Sequence, residues 1–296
     1  MSAVAEPLSR RLRLPEWFRL KLPTASAYFA TRNLIDDLNL NTVCESARCP
    51  NHWECWSKGT ATFMIAGDSC TRACGFCAVD TRKPMALEAD EPDRVAEATR
   101  RMKLKHVVIT AVARDDLSDG GAAHFKRVIE RVREVNPGVL IEVLTPDFQD
   151  DDSAIDAVIS ARPGIFNHNL ETVRSLTPEV RSVATYDRSL SVLSKVKKRA
   201  PEIYTKSGLM LGLGETKEDL LETMADLRSA GCDLLTLGQY LQPTEKHLKI
   251  EEFIHPDQFA AYKRTAEAMG FSYVASGPLV RSSYHADDQI NRLNLD

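Results

Sequence analysis

The chain has 296 residues, of which 43% are hydrophobic and 27% are charged, and this size suffices for one large α/β core or two small ones. Its longest apolar runs fall far short of the roughly 20 residues that a membrane-spanning helix needs, which argues against a membrane partner. The formal net charge of -4 argues against a nucleic-acid partner, because phosphate binding requires a concentrated basic face.

The first residues contain arginines but lack the apolar segment of a secretion signal, so we expect a cytoplasmic protein. Their one local feature is a basic cluster formed by Arg10, Arg11, Arg13, Arg19 and Lys21. This cluster is either a solvated arm packed on the rest of the chain or a docking strip for an acidic protein substrate, and the sequence does not decide between them. Because no low-complexity linker follows, residues 1–60 are predicted to form an extension wrapped on the main domain.

After residue 60, the sequence repeats a short apolar run, a loop and an amphipathic helical stretch six times, which is typical of a parallel sheet. The predicted strands cover residues 61–67, 106–112, 139–145, 164–169, 204–211 and 234–239. The predicted helices cover residues 91–102, 121–135, 151–161, 187–199, 217–230 and 256–269. Six right-handed βα units curl into an incomplete barrel, so the predicted fold is an α/β partial (βα)6 barrel over residues 61–270 with a short C-terminal tail, residues 271–296.

Six of the seven cysteines lie within residues 44–77, and only Cys232 stands apart. An odd and clustered set does not suit a disulfide framework in a chain without a secretion signal, so ligation of a metal or cluster is the better account. Cys232 lies between a predicted helix end and an apolar strand, where we expect it to be a buried packing residue.

One triplet, Cys70-x3-Cys74-x2-Cys77, directly follows the first predicted strand. Three thiolates can bind three corners of a cubane iron-sulfur cluster and leave the fourth iron open, whereas ferredoxins supply four cysteines. A structural zinc site would require four ligands, which a triplet does not supply. The motif therefore predicts a cluster whose open iron binds a further ligand.

The spacing CxxxCxxC, with Phe76 before the last cysteine, resembles the motif of the radical S-adenosylmethionine superfamily. The resemblance implies a 4Fe-4S cluster that binds S-adenosylmethionine and cleaves it to a 5'-deoxyadenosyl radical.

Two further motifs extend this resemblance to the cofactor. The segment 167–171, NHNLE, resembles the corresponding segment of biotin synthase, which implies that Asn169 and Glu171 lie beside the ribose of S-adenosylmethionine. Leu211 and the GLGE turn after it resemble the segment that pairs with adenine. His168 is expected to point the other way and to be a packed core residue. Asp115, Asp116 and Asp119 follow the second predicted strand, and a helix-capping role for them stays open.

The other triplet, Cys44-x4-Cys49-x5-Cys55, resembles the auxiliary-cluster motif of the lipoyl synthase family, and the likeness runs from about residue 16 to residue 286. In that family, a serine of a C-terminal RSSY motif is the fourth ligand, and the matching residue here is Ser283. The resemblance implies a second 4Fe-4S cluster that donates sulfur. A serine alkoxide is a weak ligand for iron, which suits a cluster that must release sulfide. An isolated serine pair could instead cap a turn.

The activity implied by the resemblance is insertion of two sulfur atoms at carbons six and eight of a protein-bound octanoyl-lysine. The implied partners are octanoylated lipoyl-carrier domains such as the H protein and the acyltransferase subunits of 2-oxoacid dehydrogenases, an electron donor such as ferredoxin or flavodoxin, and a cluster-repair carrier protein. Two alternatives stay open. One is another radical enzyme of the superfamily, whose auxiliary cluster relays electrons or anchors substrate, and the other is a non-enzymatic metal-bearing interaction protein.

Overall fold

The computed structural model describes residues 13–18 and 26–283. Of the basic N-terminal cluster only Arg13 falls in these ranges, and Tyr284 and His285 of the C-terminal motif lie outside them. In the described part of the chain, no helix combines the length and the apolar character that crossing a bilayer requires.

The described residues form eight strands and ten α-helices. The strands are β1 (Asn41–Thr42), β2 (Thr62–Ile65), β3 (His106–Ala111), β4 (Leu140–Leu144), β5 (Ile165–Asn167), β6 (Tyr204–Leu211), β7 (Leu234–Gln239) and β8 (Tyr273–Gly277). The helices are α1 (Ser26–Asp37), α2 (Val43–Ser46), α3 (His52–Ser57), α4 (Glu91–Arg101), α5 (Ala122–Val135), α6 (Asp152–Ser160), α7 (Thr177–Val180), α8 (Tyr186–Arg199), α9 (Lys217–Ser229) and α10 (Pro256–Ala268).

All eight strands belong to one sheet, in which every strand neighbours the next one along the chain. The strands from β2 to β8 run parallel, and β1 pairs antiparallel with β2. This order is that of an open, barrel-like βα array. The prediction of a partial α/β barrel is confirmed, and each of the six predicted strands and helices ends within two residues of the observed one.

The sheet extends further at both ends than the sequence indicates. At the C-terminal end, β8 pairs in parallel with β7 and buries Tyr273 and Val274, so the sheet continues past residue 270. At the N-terminal end, β1 lies on the edge of the sheet, and α1 and α3 pack around the buried Trp56. The N-terminal extension and the tail segment therefore both contribute to the main fold.

Alternate residues of the strands face two different environments. Ile141 and Val143 of β4 pack in the large apolar core with α5 and α6, whereas the residue between them, Glu142, lies on the opposite face. There, Lys206 Nζ donates to Glu142 Oε1 at 2.8 Å, and His106 Nε2 lies 3.2 Å from Glu142 Oε2. Burial alone would raise the pKa of Glu142, but the Lys206 and His106 contacts lower it to about 2. The inner face of the barrel is thus lined in part by buried charge.

Candidate active site

The loop of residues 70–77 begins shortly after β2 and carries the three free thiols of Cys70, Cys74 and Cys77, which are all partly exposed. Backbone hydrogen bonds hold the loop at both ends: the Thr71 amide donates to Ala113 O at 3.1 Å and the Gly75 amide to Val180 O at 3.0 Å. Burial, together with negative charge on Cys74 and Cys70, raises the pKa of Cys77 to about 12. The three sulfur atoms are therefore close enough to influence one another.

Arg72, inside this loop, clamps it to the carboxyl ends of two strands. Its guanidinium donates to both carboxylate oxygens of Asp115 at 2.7 Å and to Asp147 Oδ1 at 2.7 Å. The Asp147 side chain is fully buried, and burial alone would raise its pKa, but Arg72 lowers that pKa to about 2. Because Asp115 follows β3 and Asp147 follows β4, one guanidinium joins the cysteine loop to both.

The contacts of the three acidic residues after β3 show which of them caps a helix. Asp115 pairs with Arg72, and Asp116 pairs with Arg114 at 2.8 Å. Asp119 instead accepts from the Gly121 and Ala123 amides at the start of α5. Of the three, only Asp119 caps.

Three consecutive residues after Asp147 adopt a left-handed backbone conformation, which we call the left-handed turn. Phe148, Gln149 and Asp150 have φ values of 46°, 53° and 64°, a conformation that costs each non-glycine residue roughly 1–2 kcal/mol. The Gln149 amide donates to Asp147 Oδ1 at 3.1 Å, and its side chain donates to Asp115 Oδ1 at 3.2 Å. The strained turn therefore supports the same carboxylates that hold Arg72.

The segment after β5 brings Asn169 and Glu171, the two residues proposed from the sequence to lie beside the ribose, into contact with each other. Asn169 Nδ2 donates to Glu171 Oε1 at 3.1 Å and to Ser282 Oγ at 2.8 Å. The buried Asn169 Oδ1 has no hydrogen-bond partner among the described residues, which leaves an acceptor available. Burial raises the pKa of Glu171, an effect that the positive charge of Arg181 opposes.

The sequence analysis missed Arg181, which lies beside these residues. Its Nη1 donates to Ser189 Oγ at 2.7 Å and to Asn169 O at 3.3 Å. Burial lowers the pKa of Arg181, and negative charge on Glu171 and Cys74 opposes this effect. It follows α7 in a segment whose composition gives no periodic or motif signal. The arrangement places a cation, a carboxylate and an amide next to the cysteine loop.

His168 and Cys232 behave as predicted. His168 is buried, and its two ring nitrogens lie 2.9 Å from Thr145 O and 3.0 Å from Ser189 Oγ. Cys232 is fully buried between α9 and β7. Both are satisfied core residues.

Phe76 and Leu211 are both in packed surroundings. Phe76 packs against the cluster of Val180, Leu213 and Tyr240, and Leu211 is buried at the end of β6. The Leu211 carbonyl accepts from the Tyr240 amide at 2.8 Å. A carbonyl oxygen has two lone pairs, so one remains for a second donor.

The other triplet lies in the N-terminal extension, with Cys44 in α2, Cys55 in α3 and Cys49 between the helices. Burial raises the pKa of Cys44 to about 11, and burial together with negative charge on Cys44 and Cys49 raises that of Cys55 to about 12. These three thiols also form one group.

The C-terminal segment reaches this group from more than 200 residues away. Asn51 Nδ2 donates to Leu279 O at 2.6 Å, and Arg281 is close enough to Cys49 for its charge to oppose the rise that burial causes in the pKa of that thiol. Thr62 Oγ1 donates to Ser283 Oγ at 2.8 Å, and the Thr62 backbone also hydrogen-bonds to Cys44. Thr62 thus contacts both the predicted serine ligand and one of the cysteines.

The donor chemistry of both triplets suits iron-sulfur clusters, whose irons prefer thiolate ligands. Among residues 13–18 and 26–283, no group of three or more His, Cys, Asp or Glu side chains is placed to hold a single metal ion. A cubane needs no such convergence, because each of its thiolate ligands binds a different iron atom.

Comparisons with known proteins agree with these features. The family model of the radical SAM superfamily matches residues 64–227, and that of the N-terminal domain of lipoyl synthase matches residues 3–49. A lipoyl synthase from Shouchella clausii is 54% identical over 288 residues, covering 97% of this chain and 93% of the relative. One from Halalkalibacterium halodurans is 55% identical over 285 residues, covering 96% and 94%.

Solved structures share the fold at low sequence identity. Methylornithine synthase has a TM-score of 0.54 at 13% identity, covering 84% of this chain and 76% of that structure. The FeFe-hydrogenase maturase HydG from Carboxydothermus hydrogenoformans has a TM-score of 0.55 at 10% identity, covering 90% and 70%. These likenesses support the open βα architecture alone.

Proposed function

This chain belongs to the lipoyl synthase family of radical S-adenosylmethionine enzymes, and on that premise we propose that its two cysteine triplets hold two separate 4Fe-4S clusters. The family uses S-adenosylmethionine and iron-sulfur chemistry. When bound, one cluster with S-adenosylmethionine supplies a 5'-deoxyadenosyl radical that removes hydrogen from carbon, and the other supplies sulfur.

In this proposal, Cys70, Cys74 and Cys77 ligate the radical-generating cluster. The Arg72 clamp holds their loop against the barrel, so the three thiolates stay in one arrangement when the cofactor binds and leaves. Rigid support of this kind positions reacting groups without a fresh entropy cost in each turnover.

The groups at the end of β5 are suited to S-adenosylmethionine. The free acceptor Asn169 Oδ1 and the Glu171 carboxylate can accept from the ribose hydroxyls, and Arg181 is a partly buried cation suited to the carboxylate of the methionine moiety. Phe76 and the Leu211 backbone complete the proposed contacts, with Leu211 on the adenine.

Cys44, Cys49, Cys55 and Ser283 are the proposed ligands of the sulfur-donor cluster. The observation that carries this assignment is the position of Thr62, which hydrogen-bonds to Ser283 through its hydroxyl and to Cys44 through its backbone. A hydroxyl ligand leaves iron more readily than a thiolate, so Ser283 allows the cluster to open when sulfide is removed.

The proposed substrate is an octanoyl group amide-linked to a lysine of a lipoyl-carrier domain, with sulfur added at carbons six and eight. A ferredoxin or flavodoxin would supply electrons, and a carrier protein would rebuild the consumed cluster. We place this reaction in the cytoplasm.

Mass spectrometry of an octanoyl-lysine peptide tests the proposal directly. The peptide is incubated anaerobically with reconstituted protein, S-adenosylmethionine and a strong reductant. We expect a product that carries two added sulfurs and, after oxidation to the disulfide, lacks two hydrogens. Formation of 5'-deoxyadenosine without sulfur on the peptide, from protein with both clusters intact, would instead indicate a different radical enzyme.

Ser283→Ala tests the role of the serine. We expect this variant to cleave S-adenosylmethionine at nearly the wild-type rate but to form little lipoyl product. Ser276→Ala is a matched control, because the Ser276 hydroxyl donates to Phe259 O at 2.8 Å, away from both triplets. Full lipoyl formation by Ser283→Ala would show that sulfur transfer does not require this serine.

A further inference from the structure

Residues 278–283, which we call the C-terminal strap, follow β8 and lie against two glycines of the sheet. A Cβ atom at Gly238 of β7 would lie 2.1 Å from Val280 O. A Cβ atom at Gly208 of β6 would lie 2.9 Å from Asn169 Oδ1 and 3.1 Å from Ser282 Oγ. Side chains at these positions would displace the strap, so the two glycines make room for it.

Two adjacent serines of the strap make hydrogen bonds on opposite sides. Ser282 Oγ accepts from Asn169 Nδ2 at 2.8 Å, and Ser283 Oγ accepts from Thr62 Oγ1 at 2.8 Å. Asn169 Nδ2 also donates to Glu171, and the Thr62 backbone contacts Cys44. Two short series of polar contacts, joined by the peptide bond between Ser282 and Ser283, therefore link the residues at the end of β5 to the triplet that contains Cys44.

We propose that Ser282 is a positioning residue that couples the S-adenosylmethionine site to the strap that carries Ser283. The inference rests on the proposed function, which assigns Asn169 to the cofactor and Ser283 to the sulfur-donor cluster. Ser282 itself ligates nothing. Its hydroxyl holds the Asn169 amide, and the covalent bond to Ser283 makes the position of one serine depend on the other.

Coupling of this kind is reciprocal. If the Ser282 hydroxyl orients Asn169 for the cofactor, then the bound cofactor must stabilise the strap to the same extent. One neutral hydrogen bond corresponds to a change in affinity of roughly 2- to 10-fold. Occupancy of the cofactor site thereby holds the serine ligand in place before sulfur transfer.

The test compares Ser282→Ala with wild type, using reconstituted holoenzyme of equal iron content and no reductant, so that S-adenosylmethionine stays intact. Equilibrium dialysis measures the affinity for S-adenosylmethionine, and hydrogen-deuterium exchange measures protection of residues 278–283. We expect roughly 2- to 10-fold weaker binding by the variant. We also expect S-adenosylmethionine to protect the strap in wild type but not in the variant.

Ser282→Thr, which keeps the hydroxyl, and Ser276→Ala, which removes a hydroxyl elsewhere in the same region, serve as controls. Both are expected to retain wild-type affinity and cofactor-dependent protection of the strap. Wild-type affinity and protection in Ser282→Ala would overturn the coupling, and so would an equal loss in Ser276→Ala. The proposed function would be contradicted by a different result, namely wild-type protein that binds S-adenosylmethionine but adds no sulfur to octanoyl-lysine. Failure of the coupling and failure of the proposed function can therefore be told apart.

Discussion

The two cysteine triplets are built in different ways. Cys70, Cys74 and Cys77 come from one short loop, and that loop is held by a buried arginine with two carboxylates. Cys44 and Cys55 come from two short helices and Cys49 from the segment between them, and the fourth proposed ligand, Ser283, comes from the C-terminal segment, which neutral hydrogen bonds hold. The cysteines of the first site come together on closure of a local loop, whereas the proposed ligands of the second come together only when the C-terminal segment has folded onto the N-terminal extension.

This structural difference between the two triplets fits the different functions proposed for them. Charged, bidentate contacts fix a geometry more firmly than single hydroxyl or amide contacts do. A loop that must present an open iron repeatedly gains from rigidity, and a cluster that must be opened and rebuilt gains from a ligand held by weaker contacts. Three experiments, in order of decreasing expected effect, test this difference between the two triplets.

Removing one cysteine from each triplet should have the largest effect and should separate the two sites. We expect Cys74→Ala to reduce 5'-deoxyadenosine formation to background, because the radical-generating cluster loses a ligand. Cys49→Ala should still form 5'-deoxyadenosine but no lipoyl product. Chromatographic assay of 5'-deoxyadenosine and mass spectrometry of the peptide measure the two reactions. Equal loss of 5'-deoxyadenosine in both variants would show that the sites do not act separately.

Replacing Arg72, which clamps the loop of residues 70–77, should have an intermediate effect. Lysine at position 72 cannot bridge Asp115 and Asp147 with the geometry of a guanidinium, so Arg72→Lys leaves the buried Asp147 with Arg188, 3.3 Å away, as its main charged partner. We expect a loss of about 2–4 kcal/mol in unfolding free energy and roughly 10- to 100-fold slower S-adenosylmethionine cleavage. Urea unfolding and initial-rate assays measure these quantities.

Arg100→Lys is the control for this clamp, since Arg100 pairs with Glu97 on an exposed helix surface. It should change neither quantity detectably. If Arg72→Lys matched Arg100→Lys, the rigidity attributed to the cysteine loop would have another source.

Acid should have the smallest effect and should act through His168, which is next to Asn169 in the barrel wall. Burial, aided by the charge of Arg181, lowers the pKa of His168 to about 4 from an ordinary value of 6.5. The unfolded state therefore binds more protons between these values, so the contribution to stability is complete above pH 6.5 and declines as the pH falls toward 4.

The measurement is the urea-unfolding free energy at pH 7 and pH 5. We expect wild type to lose about 2 kcal/mol through this residue over that interval. His168→Gln, which has no titrating ring, should lose less than wild type does. An identical pH dependence in both proteins would show that His168 does not carry the effect.

Most of the barrel could be predicted from sequence because its signals are local. Apolar strands alternate with amphipathic helices from residue 61 onward, and each element carries its own periodicity. β8 was missed because Tyr273–Gly277 is short and ends in small residues, and its strand character comes from pairing with β7. In the N-terminal extension, α2 and α3 were missed because they span only four and six residues.

The candidate active site likewise has parts that could be predicted from the sequence and parts that could not. The cysteine motifs and the segment that contains Asn169 and Glu171 are short-range patterns, so they could be recognised in the sequence. The partners of Arg72 lie 43 and 75 residues away, and Asn169 lies 113 residues from Ser282. No local rule identifies such pairs, and the left-handed turn at Phe148 depends on its surroundings rather than on residue preference.

The close approach of Val280 O to Gly238 has a consequence for how this sequence can diverge. A mutation to alanine at position 238 would place its methyl carbon 2.1 Å from that oxygen, so the change would be tolerated only with a compensating shift of the strap. Because that oxygen belongs to the backbone and is present whatever residue occupies position 280, position 238 is expected to remain glycine among most descendants of this gene. Random mutagenesis with selection for growth without lipoate should recover Gly238 substitutions only alongside second changes in residues 278–283.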